Sequence, residues 1–181
     1  MNHLNKILVK FSTAGVLILT LFGSAIDVNA QDKSATEYFK EAELLYRNFD
    51  YEEAIPLYNK AIELDPENPT YYLQRGFCKN ITNDFEGAVD DFSALIELSP
   101  GNGFAYVSRG SALNKMERFE EAMDDFNQAL EIDPKDQEAY NNRGFSKKGL
   151  GDKSGACKDW KTSRKLGNEE AKLILKNNYC K

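Results

Sequence analysis

The pattern Tyr-x-x-Arg-Gly occurs at Tyr72–Gly76, Tyr106–Gly110 and Tyr140–Gly144, and both intervals are 34 residues. A fixed period of this length constrains the fold more than any other feature, because each unit must bury its apolar face on its neighbours. Set in blocks of 34 from Ala35, Pro69, Gly103 and Gln137, the chain repeats at several positions together. Position 4 is Tyr38, Tyr72, Tyr106 and Tyr140; position 8 is Ala42, Gly76, Gly110 and Gly144. Position 20 is Ala54, Ala88, Ala122 and Ala156, and position 24 is Tyr58, Phe92, Phe126 and Trp160. Positions 4, 8 and 11 share one helical face, and 20, 24 and 27 share another, so each block predicts an antiparallel pair of helices. Small residues at 8 and 20 let the axes approach, and the aromatics at 4 and 24 fill the space beside them. Asp50 and Asp84 stand where the second helix needs an N-cap, and Asp50–Glu53 has the spacing of a capping box. Pro66, Pro100 and Pro134 end the second helices, while Pro56 falls inside one and removes a backbone bond there.

These recurring residues resemble the tetratricopeptide repeat over Ala35–Glu170. The resemblance implies an all-α, right-handed α-solenoid of four helical hairpins, with repeats at 35–68, 69–102, 103–136 and 137–170. Two departures stand out. Lys79 and Lys147 replace an apolar residue at position 11, and the fourth block has Asn168 where the others have proline. Beyond it, Ala171, Ile174 and Leu175 at helical spacing predict a capping helix over 168–180 that covers the last open face.

At the other end, Lys6 and Lys10 precede an uncharged stretch from Phe11 to Ile26, followed by small residues at Val28–Ala30. This predicts a signal peptide over 1–30, cleaved after Ala30, and a periplasmic or secreted protein without membrane insertion of the mature chain. A retained anchor is the alternative, although the sixteen residues between Lys10 and Asp27 fall short of the roughly 20 that a spanning helix needs. The mature chain would carry 21 basic and 28 acidic residues, a net charge of −7, which argues against nucleic acid. The single histidine, His3, leaves with the signal peptide and takes with it the side chain most used for acid–base work and zinc binding.

Other chemistry is equally thin. Gly149–Gly155 follows no strand and lacks the ending of a phosphate-binding loop, so it reads as a turn. Asp90-Asp91 and Asp124-Asp125 read as solvated or ion-paired rather than as metal ligands. Asn80–Thr82 matches a glycosylation sequon but falls within a helix. No catalytic residue, metal or cofactor is expected; an enzyme with a composite site is the remote alternative. Export permits a disulfide. Cys157 lies eleven residues before the turn near Asn168 and Cys180 twelve after it, so both stand at nearly one height along adjacent helices at about 1.5 Å per residue. We expect a Cys157–Cys180 bridge, with two reduced thiols as the alternative, and read Cys78 as a small buried apolar group.

The family resemblance implies that first-helix residues on the inner surface hold protein segments. Opposite the packed stripe stand Phe39, Tyr46, Leu73, Phe77, Ile81, Phe104, Val107 and Phe145, interleaved with Asn80, Asn114, Asn141 and Asn142. An apolar face with amides able to pair an extended backbone reads as a peptide groove; partial cover by the adjoining repeat is the other account. Some members of the family clamp a C-terminal carboxylate, but Phe39 and Glu43 occupy the places of their lysine and first asparagine, and Glu43 would repel it. The expected function is an exported adaptor for a protein or peptide partner; a structural subunit that self-associates or packs permanently into an envelope complex is the alternative, and the sequence leaves the oligomeric state open. Finally, the arginine at position 7 lies level with an aspartate at position 23 across the hairpin. This predicts pairs Arg75–Asp91, Arg109–Asp125 and Arg143–Asp159, unless each aspartate pairs instead with the next block's arginine.

Overall fold

A computed structural model describes residues 33–177 and 180, so the expected signal peptide over 1–30 lies outside the described residues. Regular structure in the described part is entirely α-helical. Four hairpins follow one another: α1 (Ala35–Arg47) with α2 (Tyr51–Leu64), α3 (Pro69–Ile81) with α4 (Phe85–Leu98), α5 (Gly103–Lys115) with α6 (Phe119–Ile132), and α7 (Gln137–Gly149) with α8 (Lys153–Leu166). A shorter helix, α9 (Glu169–Lys176), follows. Within each hairpin the two helices pack together, each second helix packs on the first helix of the next hairpin, α5 also meets α7, and α9 covers α8. The result is an all-α solenoid.

Each hairpin turns at position 15 with a left-handed residue, Phe49, Asn83, Glu117 or Gly151, at φ of 68°, 66°, 59° and 83°. That conformation lets the following N–H reach back across the turn, from Asp50, Asp84, Arg118 and Asp152 to the carbonyls of Leu45, Lys79, Leu113 and Lys147. Asp84 and Asp152 then cap the second helix through the N–H groups of Gly87 and Gly155. Asp50 does not, so the capping box expected at Asp50–Glu53 is absent; the box forms instead at Ser34 and Glu37, ahead of α1. Asn68, Asn102 and Asp136 cap the remaining first helices.

The glycines at position 8 lie against the aromatic at position 24. A Cβ added to Gly76, Gly110 or Gly144 would stand within 2.8, 2.8 or 2.6 Å of Phe92, Phe126 or Trp160. Close approach buries Tyr58, Phe92, Phe126 and Trp160 almost completely, each contributing on the order of 1.5–3 kcal/mol of apolar burial. The buried stripe of the first helices is wider than the single-hairpin reading of 4, 8 and 11. The position 4 tyrosines are only half-buried, whereas positions 3 and 10, among them Tyr71, Cys78, Ala105 and Ala112, are fully covered. The preceding hairpin covers them: Cys78 joins Ala42, Ala54 and Tyr58, and Ala105 and Ala112 join Ala88 and Phe92. Leu44, the position 10 residue of the first repeat, is accordingly 59% exposed.

The cap is shorter than the 168–180 expected, because Asn177 ends α9. Ala171 packs with Ala156 and Trp160, and Ile174 and Leu175 lean on the same cluster. Cys180 therefore meets Cys157 from a turn beyond the helix rather than from the helix, with Cα atoms 5.7 Å apart, at disulfide distance. Cys78 is fully buried, and burial pushes its thiol up to about 12.

Candidate functional site

The recurring arginines place a charge beside the helix core, where chemistry is a natural suspicion. Arg109 grips Asp125 with two donors, Nε to Oδ2 at 2.9 Å and Nη2 to Oδ1 at 2.7 Å. Arg143 holds Asp159 in the same way at 2.8 and 2.9 Å, and Arg75 holds Asp91. All three pairs lie within a repeat. The remaining Nη1 does something the sequence did not reveal: it donates to position 25 of the preceding repeat, to Asn59 Oδ1 at 2.7 Å, Ser93 Oγ at 3.0 Å and Asn127 Oδ1 at 2.7 Å. Each guanidinium also lies over its own repeat's tyrosine, Tyr72, Tyr106 or Tyr140, 5.3–5.8 Å from the ring centre.

The lysines at position 11 join this ladder. Lys79 reaches Asp91 at 3.0 Å and Lys147 reaches Asp159 at 2.7 Å, which accounts for both departures from an apolar residue. Repeat three has Leu113 there, so Asp125 has Arg109 as its single ion-pair partner among the described residues. Burial pushes the Asp125 carboxyl above its ordinary range, against the opposing pull of Arg109. The Arg109 guanidinium is itself raised by its bonds to Asp125. The two shifts are compatible because the side chain of Asp125 is 6% exposed and that of Arg109 is 25% exposed, so the carboxylate bears most of the desolvation. Engaged in this way, Arg75, Arg109 and Arg143 join each hairpin to the one before it.

On the opposite face of the first helices the structure opens a groove. A cavity of about 690 Å³ lies between α3, α5 and the start of α7, with Phe77, Asn80, Phe104 and Val107 along its apolar side and Asp136, Gln137 and Glu138 across from them. A second cavity of about 600 Å³ continues it between α5 and α7, past Asn114 and Phe145, to Glu170 of α9. Ser111 and Asn142 line both, so the two form one channel. Phe104 is 53% exposed at its edge and stacks at 5.7 Å on Phe77, which in turn packs on the core ring of Phe92. Two amide oxygens in this region, Asn80 Oδ1 and Gln137 Oε1, are buried with no hydrogen-bond partner among the described residues.

Not every residue read from the sequence reaches this channel. Phe39 packs on Tyr58 and Tyr71, Tyr46 on Tyr51, and Leu73 on the cluster of Phe92. Ile81 is exposed but sits at the far turn beside Phe49 and Asn83. Asn141 is fully buried, with its amide donated to Glu170, and Val107 is 7% exposed; both correct the reading of position 5 as open surface. Asn114 lines the channel, yet its amide is spent inside the protein, donating to the Asn142 carbonyl at 3.0 Å and accepting from Ser146 at 2.7 Å. Phe145 rests edge-on against Trp160. Glu43 accepts from the Tyr58 hydroxyl at 2.7 Å. The lining residues Ser108, Ser111, Gln137 and Glu138 gave no signal beyond ordinary polarity.

Among the described residues, no helix is long and apolar enough to cross a membrane, and no group of three or more His, Cys, Asp or Glu side chains is placed to hold a metal ion.

A family model described as "Tetratricopeptide repeat" matches residues 104–136, and one described as "TPR repeat" matches 42–78. No curated protein sequence matched. Among solved structures, MamA from Desulfovibrio magneticus superposes with a TM-score of 0.72 over 81% of this chain and 86% of that one, at 18% identity. The first TPR of Spaghetti, solved with the HSP90 peptide SRMEEVD, is 27% identical, with a TM-score of 0.62 over 65% of this chain and 94% of that one. The TPR domain of Arabidopsis OM64 is 26% identical, with a TM-score of 0.60 over 64% and 95%. With two repeats matched by sequence models and the hairpin stack shared with these structures, the chain is a tetratricopeptide-repeat protein.

Proposed function

We propose that this protein is an exported, non-catalytic adaptor that holds an extended protein segment in the channel between α3, α5 and α7. One observation carries the reading: Asn80 Oδ1 and Gln137 Oε1 are buried without partners beside an exposed aromatic, Phe104, along an open channel. A buried acceptor without a partner costs about 1–3 kcal/mol, and a peptide backbone brings the N–H groups that would recover it while its side chains cover Phe104 and Phe77. The peptide-bound Spaghetti domain supports the mode of binding. Its ligand ends in Val-Asp, whereas Asp133, Asp136 and Glu138 outnumber Lys135 around the larger cavity here. An internal or cationic segment fits this channel better than an acidic C-terminus.

Selection of displayed random peptides against the purified protein tests this. Selected peptides should lose at least tenfold in affinity for F104D and for N80A, and should lack an acidic C-terminus. Equal binding to wild type and both variants refutes the channel as the site. Export rests on Lys6, Lys10 and the uncharged stretch after them; N-terminal sequencing of the native protein should begin at Gln31. In that compartment we expect Cys157 and Cys180 to be oxidised.

A further inference from the structure

The second helices carry a charge pattern that the channel does not use. Residues 31–136 hold ten Lys or Arg against 23 Asp or Glu, a net −13, whereas 137–181 hold eleven against five, a net +6. The reversal is concentrated at equivalent positions of the second helices. Position 22 is Asp90 in α4 and Asp124 in α6 but Lys158 in α8; position 29 is Glu63, Glu97 and Glu131 and then Lys165. Position 25 supplies the acceptors Asn59, Ser93 and Asn127 for the following repeat's arginine, but is Lys161 in α8. Lys158, Lys161 and Lys165 fall on one face of α8, and all three are exposed. None makes an ion pair with a described residue, and neither do the exposed Asp124 and Glu131.

We infer that two copies of this chain pair through the outward faces of α6 and α8, Lys158 and Lys165 of one copy meeting Asp124 and Glu131 of the other. The repeat itself supplies the register. A two-fold axis running along the helix direction between α6 and α8 sets α8 of each copy over α6 of its partner, with position 22 opposite 22 and 29 opposite 29. The seven residues between them span about 10.5 Å on both helices, so both pairs close at once. Symmetry repeats them on the other side, and the interface closes on itself as a dimer. An anionic surface is the competing partner for a lysine face, but it would have to approach a body that carries −13 on its first three repeats. The acidic helix of a second copy presents the matching charges at the matching spacing. None of the pairing residues lines the channel, so this inference does not depend on the adaptor reading.

Sedimentation velocity on the purified protein, with charge-swapped partners, decides it. Wild type should dimerise at about 20 mM salt and dissociate at about 500 mM, where screening shortens to a few ångströms. K158E/K165E and D124K/E131K should each be monomeric, since each sets like charges against like, with unchanged circular dichroism. Mixed in equal amounts they should dimerise again, because every contact between them is then of opposite sign. A wild type that stays monomeric in low salt overturns the inference, as does a mixture that fails to restore the dimer. Binding of vesicles containing phosphatidylglycerol by a wild type that remains monomeric overturns it in favour of a lipid surface.

Discussion

Replacing Arg109 by leucine should be the most damaging change in the arginine ladder, and the structure says by how much. Asp125 has a side chain 6% exposed, and among the described residues Arg109 is its single ion-pair partner, through bonds of 2.9 and 2.7 Å. Removing one partner of a buried pair costs about 3–5 kcal/mol, because the other charge stays desolvated. Losing the third donor to Ser93 and the contact over Tyr106 adds to this at the junction with repeat two. R75L and R143L lose the equivalent bonds, yet Lys79 and Lys147 remain on Asp91 and Asp159. They should therefore cost less than R109L by about 1.5–3 kcal/mol, the worth of a charged hydrogen bond. Urea unfolding at neutral pH reads all three. Acid provides a second test. The folded Asp125 carboxyl is raised above its ordinary value by burial, so between the unfolded and folded values the native state binds the extra proton. This group's penalty is therefore full above the folded value and fades as the pH falls towards the unfolded one. Without Arg109 the folded value climbs further, so the R109L deficit should shrink on acidification, and R109L/D125N should recover much of it at neutral pH. Equal costs for the three leucine variants, or a deficit that grows in acid, would refute the assignment of Asp125 as the singly held charge.

Two further changes probe the packing and the cysteines. Gly110→Ala would set a Cβ 2.8 Å from the Phe126 ring and 3.2 Å from the Ala122 carbonyl, which is backbone and yields little. Overpacking of this kind costs about 1–3 kcal/mol, read as a lower urea midpoint; an unchanged midpoint would show that the hairpin opens freely. With Cys157 and Cys180 bonded, iodoacetamide should label nothing in the native protein, since Cys78 is buried and its thiol is pushed up to about 12. Mild reduction should expose Cys180 to labelling and lower stability by roughly 3 kcal/mol. Labelling of Cys180 before reduction would show the pair to be reduced.

How far the sequence could be read depended on whether a feature repeats in residue type or only in chemistry. Arg75, Arg109 and Arg143 recur as one residue with aspartate partners at a fixed offset, so the pairs follow from register. Their third contacts go to Asn59, Ser93 and Asn127, which share an acceptor but not an identity, and nothing in the sequence joins them until the fold does. The lysines at position 11 looked like defects in an apolar stripe; in three dimensions they are extra partners for buried carboxylates. The channel was legible only in part, because a helical wheel describes an isolated hairpin. Val107 and Asn141 fall on the open side of their own hairpins, yet neighbouring elements bury both, and Glu170 of α9 takes the Asn141 amide. A single-hairpin wheel cannot see that cover, since it depends on the elements that follow: Val107 shares a cluster with Ala139 of α7, and Asn141 meets the cap helix.

The two ends of the channel differ in what they ask of a ligand. Towards α7 and α9, Asn114 is bonded to the Asn142 carbonyl and to Ser146, and Phe145 is fixed against Trp160. A ligand that bonded to Asn114 would have to break bonds already made and would exchange hydrogen bonds with little net gain; Asn141 Oδ1 has no partner among the described residues but lines neither cavity. Towards α3, Asn80 Oδ1 has no partner among the described residues and Phe104 is largely open. There a bond made is a penalty removed, and covering the ring removes apolar surface from water. Binding energy should therefore concentrate at the α3–α5 end, with the α7–α9 end serving as a rigid wall that orients the chain. The direction of a bound segment would then be set by which of its ends carries the apolar anchor for Phe104.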